Sequence, residues 1–98
     1  MSASETELAS FHAVVRGRVQ GVFFRAFVKQ QARALGLAGY VRNMRQFWEV
    51  EVEAEGNRAQ LEKLLEHLQK GPAGAGVEEV AVRWGDHAGA FADFTIRY

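Results

Sequence analysis

Residues 11–36 read FHAVVRGRVQGVFFRAFVKQQARALG, and the pattern of this stretch changes between its first two glycines. Phe11–Val15 is short, apolar and rich in β-forming residues, which predicts a strand. Beyond Gly21, apolar residues recur at helical spacing, and Gly36 is placed to end the helix. The stripe consists of Phe24, Phe27, Val28, Ala32 and Leu35. The stretch therefore predicts a strand, a glycine-bracketed loop and a helix.

Downstream of Gly36 the chain returns to an extended pattern, which Tyr40 and Val41 begin. Two sets of residues then alternate, the apolar Trp48, Val50, Val52 and Ala54 with the acidic Glu49, Glu51, Glu53 and Glu55. This alternation predicts a half-buried strand. We expect the apolar set, Trp48 included, to enter the core. The acidic set is expected to form a solvated face or to protect an edge of the sheet.

The second half of the chain repeats the helix and strand patterns. Asn57 is placed as an N-cap. It precedes a second apolar stripe of Leu61, Leu64, Leu65 and Leu68. Alternation returns at Val80, Val82 and Trp84, and again at Phe94 and Ile96. The predicted order is β-α-β-β-α-β with a short extra strand at the C-terminus.

The simplest packing of these elements puts both helices on one face of an antiparallel sheet. This is an α+β, ferredoxin-like arrangement in one domain. We expect residues 1–8 to form a flexible N-terminal tail and residues 9–98 to form the domain.

Composition narrows the classes of function. The 98 residues include 12 basic and 12 acidic side chains, so the formal net charge is zero, and there is no cysteine. This balance does not favour a nucleic-acid or membrane-surface partner. No disulfide framework or thiolate nucleophile is available, and the three histidines lack metal-ligand spacing. Residues 1–10 lack the apolar run of a signal peptide, so we expect a cytoplasmic protein.

The loop between the first strand and the first helix is the best candidate for chemistry. Gly17 and Gly21 let the loop turn backbone N–H groups inward as an anion cradle, to which the helix N-terminus adds further donors. Arg25, in the first helical turn, can lean back over the loop and offer its guanidinium to an oxyanion such as phosphate. A nucleotide P-loop would require a Gly-Lys-Ser/Thr ending, which is missing. The alternative is a tight turn with a surface arginine.

A second candidate is Asn43, at the end of Gly39-Tyr40-Val41-Arg42-Asn43. Asparagine at such a position either supports a turn or orients a water molecule, because its amide both donates and accepts. Three aromatic residues beside the loop are expected to pack in the core: Phe23, Phe24 and Phe27.

These segments resemble known signatures. Residues 15–25, VRGRVQGVFFR, are similar to the first signature of the acylphosphatases, and residues 39–43, GYVRN, to the start of their second. Lys70-Gly71-Pro72 and the ending Phe94-Thr95-Ile96-Arg97-Tyr98 also resemble that family. The resemblance covers residues 9–98 and implies the ferredoxin-like fold and hydrolysis of a carboxyl-phosphate anhydride.

The resemblance also implies roles for particular residues. Arg25 would bind the phosphoryl oxygens, and Asn43 would hold the attacking water. Backbone N–H groups of the loop would assist, namely those of Arg18, Val19, Gln20, Gly21 and Val22. It further implies no metal and no cofactor, a small-molecule acyl phosphate as the only partner, and a monomer.

One segment departs from the family pattern. Phe47 stands where family members usually have a turn glycine, and Met44–Glu49 is one residue longer than expected. We therefore expect an altered hairpin after Asn43, with a bulge or a wider loop. Two alternative functions remain at this point: a non-catalytic ferredoxin-like anion-binding or interaction module, and a sheet-face RNA binder.

Overall fold

The computed structural model describes residues 7–98. Its elements are β1 (Leu8–Arg18), α1 (Phe24–Ala34), β2 (Ala38–Asn43), β3 (Glu49–Asn57), α2 (Arg58–Lys70), β4 (Gly76–Gly85) and β5 (Phe94–Arg97). The predicted β-α-β-β-α-β order with an extra C-terminal strand is confirmed. Residues 1–6 of the predicted tail lie outside the described residues, and β1 begins at Leu8.

The strands form one sheet in the order β4-β1-β3-β2-β5. β1 pairs antiparallel with β3 and β4, and β2 pairs antiparallel with β3. β5 extends the sheet by pairing parallel to β2. Helix α1 packs on β2 and β5, and α2 packs on β1, β3 and β4. The predicted ferredoxin-like fold is confirmed, and the parallel β5 makes its sheet mixed.

The two apolar stripes predicted for the helices face the core. Phe24, Val28 and Ala32 are buried on α1, as are three leucines on α2, Leu61, Leu64 and Leu68. Each fully buried large apolar side chain contributes about 1.5–3 kcal/mol to folding. Neither helix in residues 7–98 has the length and apolar character needed to cross a membrane.

The N-cap predicted for α2 is also confirmed. Asn57 Oδ1 accepts a hydrogen bond from the backbone N–H of Ala59 at 2.9 Å. A side-chain acceptor at this position satisfies one of the four N–H groups that a helix start leaves unpaired. Asn57 therefore fixes where β3 ends and α2 begins.

The acidic face of β3 differs from the prediction. Glu49, Glu51 and Glu55 are only 8%, 8% and 4% exposed. The solvated face and the protected edge were both wrong, because β3 lies in the middle of the sheet between β1 and β2. Side chains of the neighbouring strands cover Glu49 and Glu51, and the Phe91 N–H donates to Glu55 Oε1 at 3.0 Å. Alternation along one strand does not reveal these contacts.

Positive and neutral donors satisfy these carboxylates. Arg16 Nε on β1 donates to Glu49 Oε2 at 2.5 Å. His12 Nε2 lies 2.6 Å from Glu51 Oε2, and Arg42 Nε on β2 donates to Glu51 Oε1. Glu51 thus joins three strands across the face of the sheet that carries no helix. Buried carboxylates are tolerated when such partners replace the lost water.

The surroundings of Glu51 also shift the pKa of its carboxyl group. Burial raises the pKa of this carboxyl, but hydrogen bonds and charges from His12 and Arg42 outweigh burial and leave the pKa below its usual value. The ionised form is therefore the one that the folded protein favours.

Trp48 does not enter the core as predicted, and its side chain is 54% exposed. The residue precedes β3 and lies in the connection between β2 and β3, where the Glu49 N–H donates to the Gln46 carbonyl at 3.1 Å. This turn ends the alternation that would have directed Trp48 inward. The Trp48 carbonyl instead accepts the N–H of Gly17 at 3.0 Å.

Glu51→Gln should destabilise the protein by about 1.5–3 kcal/mol at neutral pH, because hydrogen bonds to a charged group are lost. Because the pKa of Glu51 is lower in the folded than in the unfolded protein, its ionisation stabilises the fold at pH values above the unfolded pKa. This contribution to the free energy of unfolding is lost as the pH falls through the folded pKa. The free energies of unfolding of the variant and the original protein, measured in urea, should therefore converge as the pH falls below the folded pKa of Glu51.

Glu53→Gln is the matched control, because Glu53 lies on the same face of β3 but is only half-buried. It should change the free energy of unfolding far less. A gap between Glu51→Gln and the original protein that persists in acid would contradict an ionic origin of the effect.

Candidate functional site

A cleft of about 430 Å³ opens where β1 and β2 end and α1 begins. This volume is typical of small-molecule sites. The cleft is lined by Val19, Gly21, Phe23, Phe24, Arg25, Ala26, Asn43, Ile96 and Tyr98. The lining combines one cation and one amide with largely apolar walls.

The loop from Gly17 to Phe23 owes its path to two glycines. Gly17 has φ 131°, and a Cβ atom there would lie 2.1 Å from the Gly76 carbonyl oxygen of β4. Gly21 has φ 76°, in the left-handed region that other residues rarely adopt. Val19 between them is buried and anchors the loop to the core. A side chain at Gly17 would push the loop away from β4.

The backbone of this loop offers unused donors. Within residues 7–98, no backbone carbonyl accepts the N–H groups of Gln20, Gly21 or Val22. Helix α1 begins at Phe24, its N-cap Phe23 provides no side-chain cap, and its first turn has no acidic residue. The loop with these free N–H groups and the positive end of the helix dipole thus border the cleft, an arrangement suited to binding an anion.

Arg25 is the second residue of α1 and lines the cleft. Its Cζ atom lies 4.9 Å from the centre of the Tyr98 ring. Among the described residues no carboxylate forms an ion pair with Arg25, whereas Arg16, Arg33, Arg42 and Arg58 all have such partners. The guanidinium is therefore held by an aromatic ring and keeps its charge available to an anion.

Asn43 is the last residue of β2, where it pairs with Val50 of β3. Its side chain lines the same cleft as Arg25. The Oδ1 atom is buried and has no hydrogen-bond partner within the described part of the chain. Buried polar atoms normally have a partner, so an unused acceptor in a cleft is suited to a ligand or a water.

The side chain of Gln20 ties the loop to the connection between β2 and β3. The two hydrogens of its Nε2 group are shared among three backbone carbonyls, those of Met44 at 3.3 Å, Gln46 at 3.1 Å and Glu49 at 3.0 Å. Met44 directly follows Asn43 in the chain. The Gln20 amide therefore fixes the longer connection against the loop.

The connection itself closes with backbone hydrogen bonds. The Met44 N–H donates to the Glu49 carbonyl at 3.0 Å, and the Phe47 side chain is 74% exposed. The extra length predicted for Met44–Glu49 thus projects into solvent. Asn43 keeps its regular place in the ladder with β3.

The residues predicted for the site do not all face the cleft. Val19, Gly21, Arg25 and Asn43 line it. Arg18 instead ends β1 opposite Gly76, Gln20 turns its side chain to the β2–β3 connection, and Val22 packs against the core. Any contribution from these three residues would come from their backbone N–H groups.

Sequence reasoning missed five lining residues: Phe23, Phe24, Ala26, Ile96 and Tyr98. The prediction that Phe23 packs in the core was wrong, because its side chain is 86% exposed. The apolar stripe of α1 begins at Phe24, so the residue before it lies outside the helical repeat. The position of Phe23 one residue before the stripe was therefore the sequence signal that its side chain would be exposed. Phe24 is buried as predicted, and Phe27 packs against the core.

The lining contains no carboxylate side chain and no imidazole. In residues 7–98, no three His, Cys, Asp or Glu side chains are grouped so that they could hold a metal ion. The polar side chains of the lining are therefore Arg25, Asn43 and the hydroxyl-bearing Tyr98, and the loop adds backbone N–H groups. Such a set can bind and orient an anion and a water molecule.

Comparison with known proteins gives a consistent result. A family model described as acylphosphatase matches residues 11–96. An acylphosphatase of Dehalococcoides mccartyi is 48% identical over 86 residues, which cover 88% of this chain and 94% of the relative. An acylphosphatase of Thermus thermophilus is 52% identical over 77 residues, which cover 79% and 86%.

A solved structure of an acylphosphatase from Coxiella burnetii is 36% identical and superposes with a TM-score of 0.87. The match covers 99% of this chain and 100% of that chain. Sequence and fold thus match the same family over nearly the whole length.

Gln20→Met should loosen the connection between β2 and β3, because methionine is similar in length but cannot donate to the three carbonyls. We expect faster hydrogen–deuterium exchange at the Met44 and Glu49 amides and a stability loss of about 1 kcal/mol. Gln69→Met, at an exposed position of α2, should leave both amides unchanged. Equal protection in the two variants would show that the backbone alone holds the connection.

Proposed function

The chain belongs to the acylphosphatase family, hydrolases that act on acyl phosphates, and we propose that its cleft performs this hydrolysis through Arg25 and Asn43. The observation that carries the proposal is that one cleft is lined by the Arg25 guanidinium and the Asn43 amide oxygen and bordered by the free loop N–H groups, none of which has an ion-pair or hydrogen-bond partner within residues 7–98. We also propose that residues 9–98 form the catalytic domain, which the family match over residues 11–96 supports.

In this proposal the phosphoryl group occupies the loop. Its oxygens accept hydrogen bonds from backbone N–H groups of residues 18–22 and from the guanidinium of Arg25. Both donor sets are positive and preorganised, so they stabilise the charge that develops on the phosphoryl oxygens in the transition state. The uncapped N-terminus of α1 adds its dipole to the same position.

Asn43 orients the attacking water. The unused Oδ1 acceptor supports this role, because accepting one O–H of a water fixes the direction of its lone pair. Holding the nucleophile in line converts a bimolecular encounter into a reaction within the complex. The position of Asn43 depends on its ladder with β3 and on the Gln20 contacts of the next residue.

The reaction forms a bond between the water oxygen and phosphorus and breaks the bond between phosphorus and the acyl oxygen. The electron pair of the broken bond leaves with the carboxylate, which is a stable anion and needs little protonation. Because no carboxylate or imidazole side chain lines the cleft, we propose that a phosphoryl oxygen accepts the proton of the water. The products are a carboxylate and inorganic phosphate.

Arg25→Ala should lower kcat/KM for benzoyl phosphate by roughly 100- to 1,000-fold, because it removes an oxyanion donor worth about 3–4 kcal/mol. Inhibition by inorganic phosphate should weaken in parallel, since the donor also binds the ground state. The kcat/KM of Arg25→Lys should lie between the values of Arg25→Ala and the original protein, because lysine keeps the charge but not the planar fork.

Lys29→Ala is the control for charge alone, since Lys29 lies one turn further along α1 and does not line the cleft. It should retain activity within about threefold. Near-normal turnover by Arg25→Ala would refute the role of Arg25.

Asn43→Ala should lower kcat by roughly a hundredfold, because a misplaced nucleophile is costly. The inhibition constant of inorganic phosphate should change little, because the partner of Asn43 is water. Gln46→Ala removes an exposed amide from the same connection and should have little effect on kcat. A loss confined to phosphate affinity would show that Asn43 shapes the loop instead.

Measuring the release of phosphate from benzoyl phosphate tests the alternative of a non-catalytic anion-binding or interaction module. That alternative requires the original protein to bind inorganic phosphate without releasing phosphate from benzoyl phosphate. Loss of phosphate binding in Arg25→Ala would accompany either function, so turnover by the original protein is the deciding measurement.

A further inference from the structure

Phe23 combines two features that folding alone does not explain. Its backbone has φ 58° and ψ 27°, and it is the only residue other than glycine with positive φ in the described chain. Its aromatic side chain is 86% exposed. A bulky residue in the left-handed region is costly and uncommon, and such strain clusters at functional sites.

The position of the ring indicates a use for it. Phe23 lines the cleft together with Ala26, Ile96 and Tyr98, and this apolar wall adjoins Arg25 and Asn43. Ile96 is half-buried against the core, whereas the Tyr98 ring is almost fully exposed. Exposed apolar surface inside a cleft is typical of a ligand site.

The charges of the cleft limit what the apolar wall can bind. Arg25 is the only charged side chain in the lining, and the proposed reaction uses it for the phosphoryl group. No second cation is present in the lining to neutralise a carboxylate on the acyl portion. The rest of the cleft can therefore bury an apolar group but cannot pair an acidic one.

We propose that Phe23, with the apolar wall of Ala26, Ile96 and Tyr98, binds the acyl group of the substrate and favours aryl and other apolar acyl phosphates over acyl phosphates that carry a second carboxylate. This assignment rests on the proposed function, because it places the phosphoryl group at Arg25. It names the class of substrate that the same cleft accepts.

The direct test compares benzoyl, acetyl and succinyl phosphate in the full chain. The original protein should show a higher kcat/KM for benzoyl than for succinyl phosphate. Phe23→Asn should reduce the ratio of kcat/KM for benzoyl over acetyl phosphate by roughly three- to tenfold, the value of one aromatic contact. Asparagine tolerates the left-handed region, so the loop keeps its path while the ring is lost.

Two further variants make the test specific. Phe23→Gly removes the ring and the backbone strain together, and it should reduce the ratio by a similar factor. Phe47→Asn removes an exposed aromatic ring from outside the cleft and should leave the ratio unchanged.

An unchanged ratio in both Phe23 variants, with turnover of acetyl phosphate retained, would overturn the acyl-binding role and leave the proposed function standing. A preference of the original protein for succinyl phosphate would also overturn it. If the original protein hydrolyses none of the three substrates, the proposed function fails as well.

Discussion

Arg16 of β1 lies opposite Glu49 of β3, and their side chains form an ion pair where the pairing of β1 with β3 ends. One residue further along, the N–H of Gly17 donates to the Trp48 carbonyl. Because the strands are antiparallel, the segment leaving β1 must run beside the segment entering β3. This pairing puts the loop of residues 17–23 against the connection that carries Asn43, and the Gln20 amide then closes the contact.

The same pairing explains why the acidic strand is buried. With β3 central, each of its carboxylates faces side chains from β1 or β2, and Glu51 contacts both. Such groups stabilise the sheet only as long as their partners remain, since an unpaired buried charge is strongly destabilising. The ionic face and the cleft therefore depend on one register, and a slip of β3 by one residue would expose the core set and disrupt both.

Much of this architecture could be predicted from periodicity. The stripes ending at Leu35 and Leu68 and the N-cap at Asn57 are local patterns, and the structure confirms them. Periodicity shows which residues share a face, but it does not show what covers that face. The burial of Glu51 depends on strand order, and the exposure of Trp48 depends on a turn that ends the alternation. The cleft-lining role of Ile96 depends on β5 pairing with β2, a contact between residues far apart in the chain.

The two helices differ in how their N-termini are capped. α2 begins with the side-chain cap of Asn57 on the Ala59 N–H, and the Arg58 N–H donates to the Glu7 carbonyl. α1 begins at the strained Phe23 with no cap, and its start faces Arg25 and Asn43. An uncapped start is unfavourable for a helix, but the buried side chains of α1 offset that cost. The missing side-chain cap and the positive φ of Phe23 thus occur together at the start of α1. A site that binds an anion requires free N–H donors at such a position.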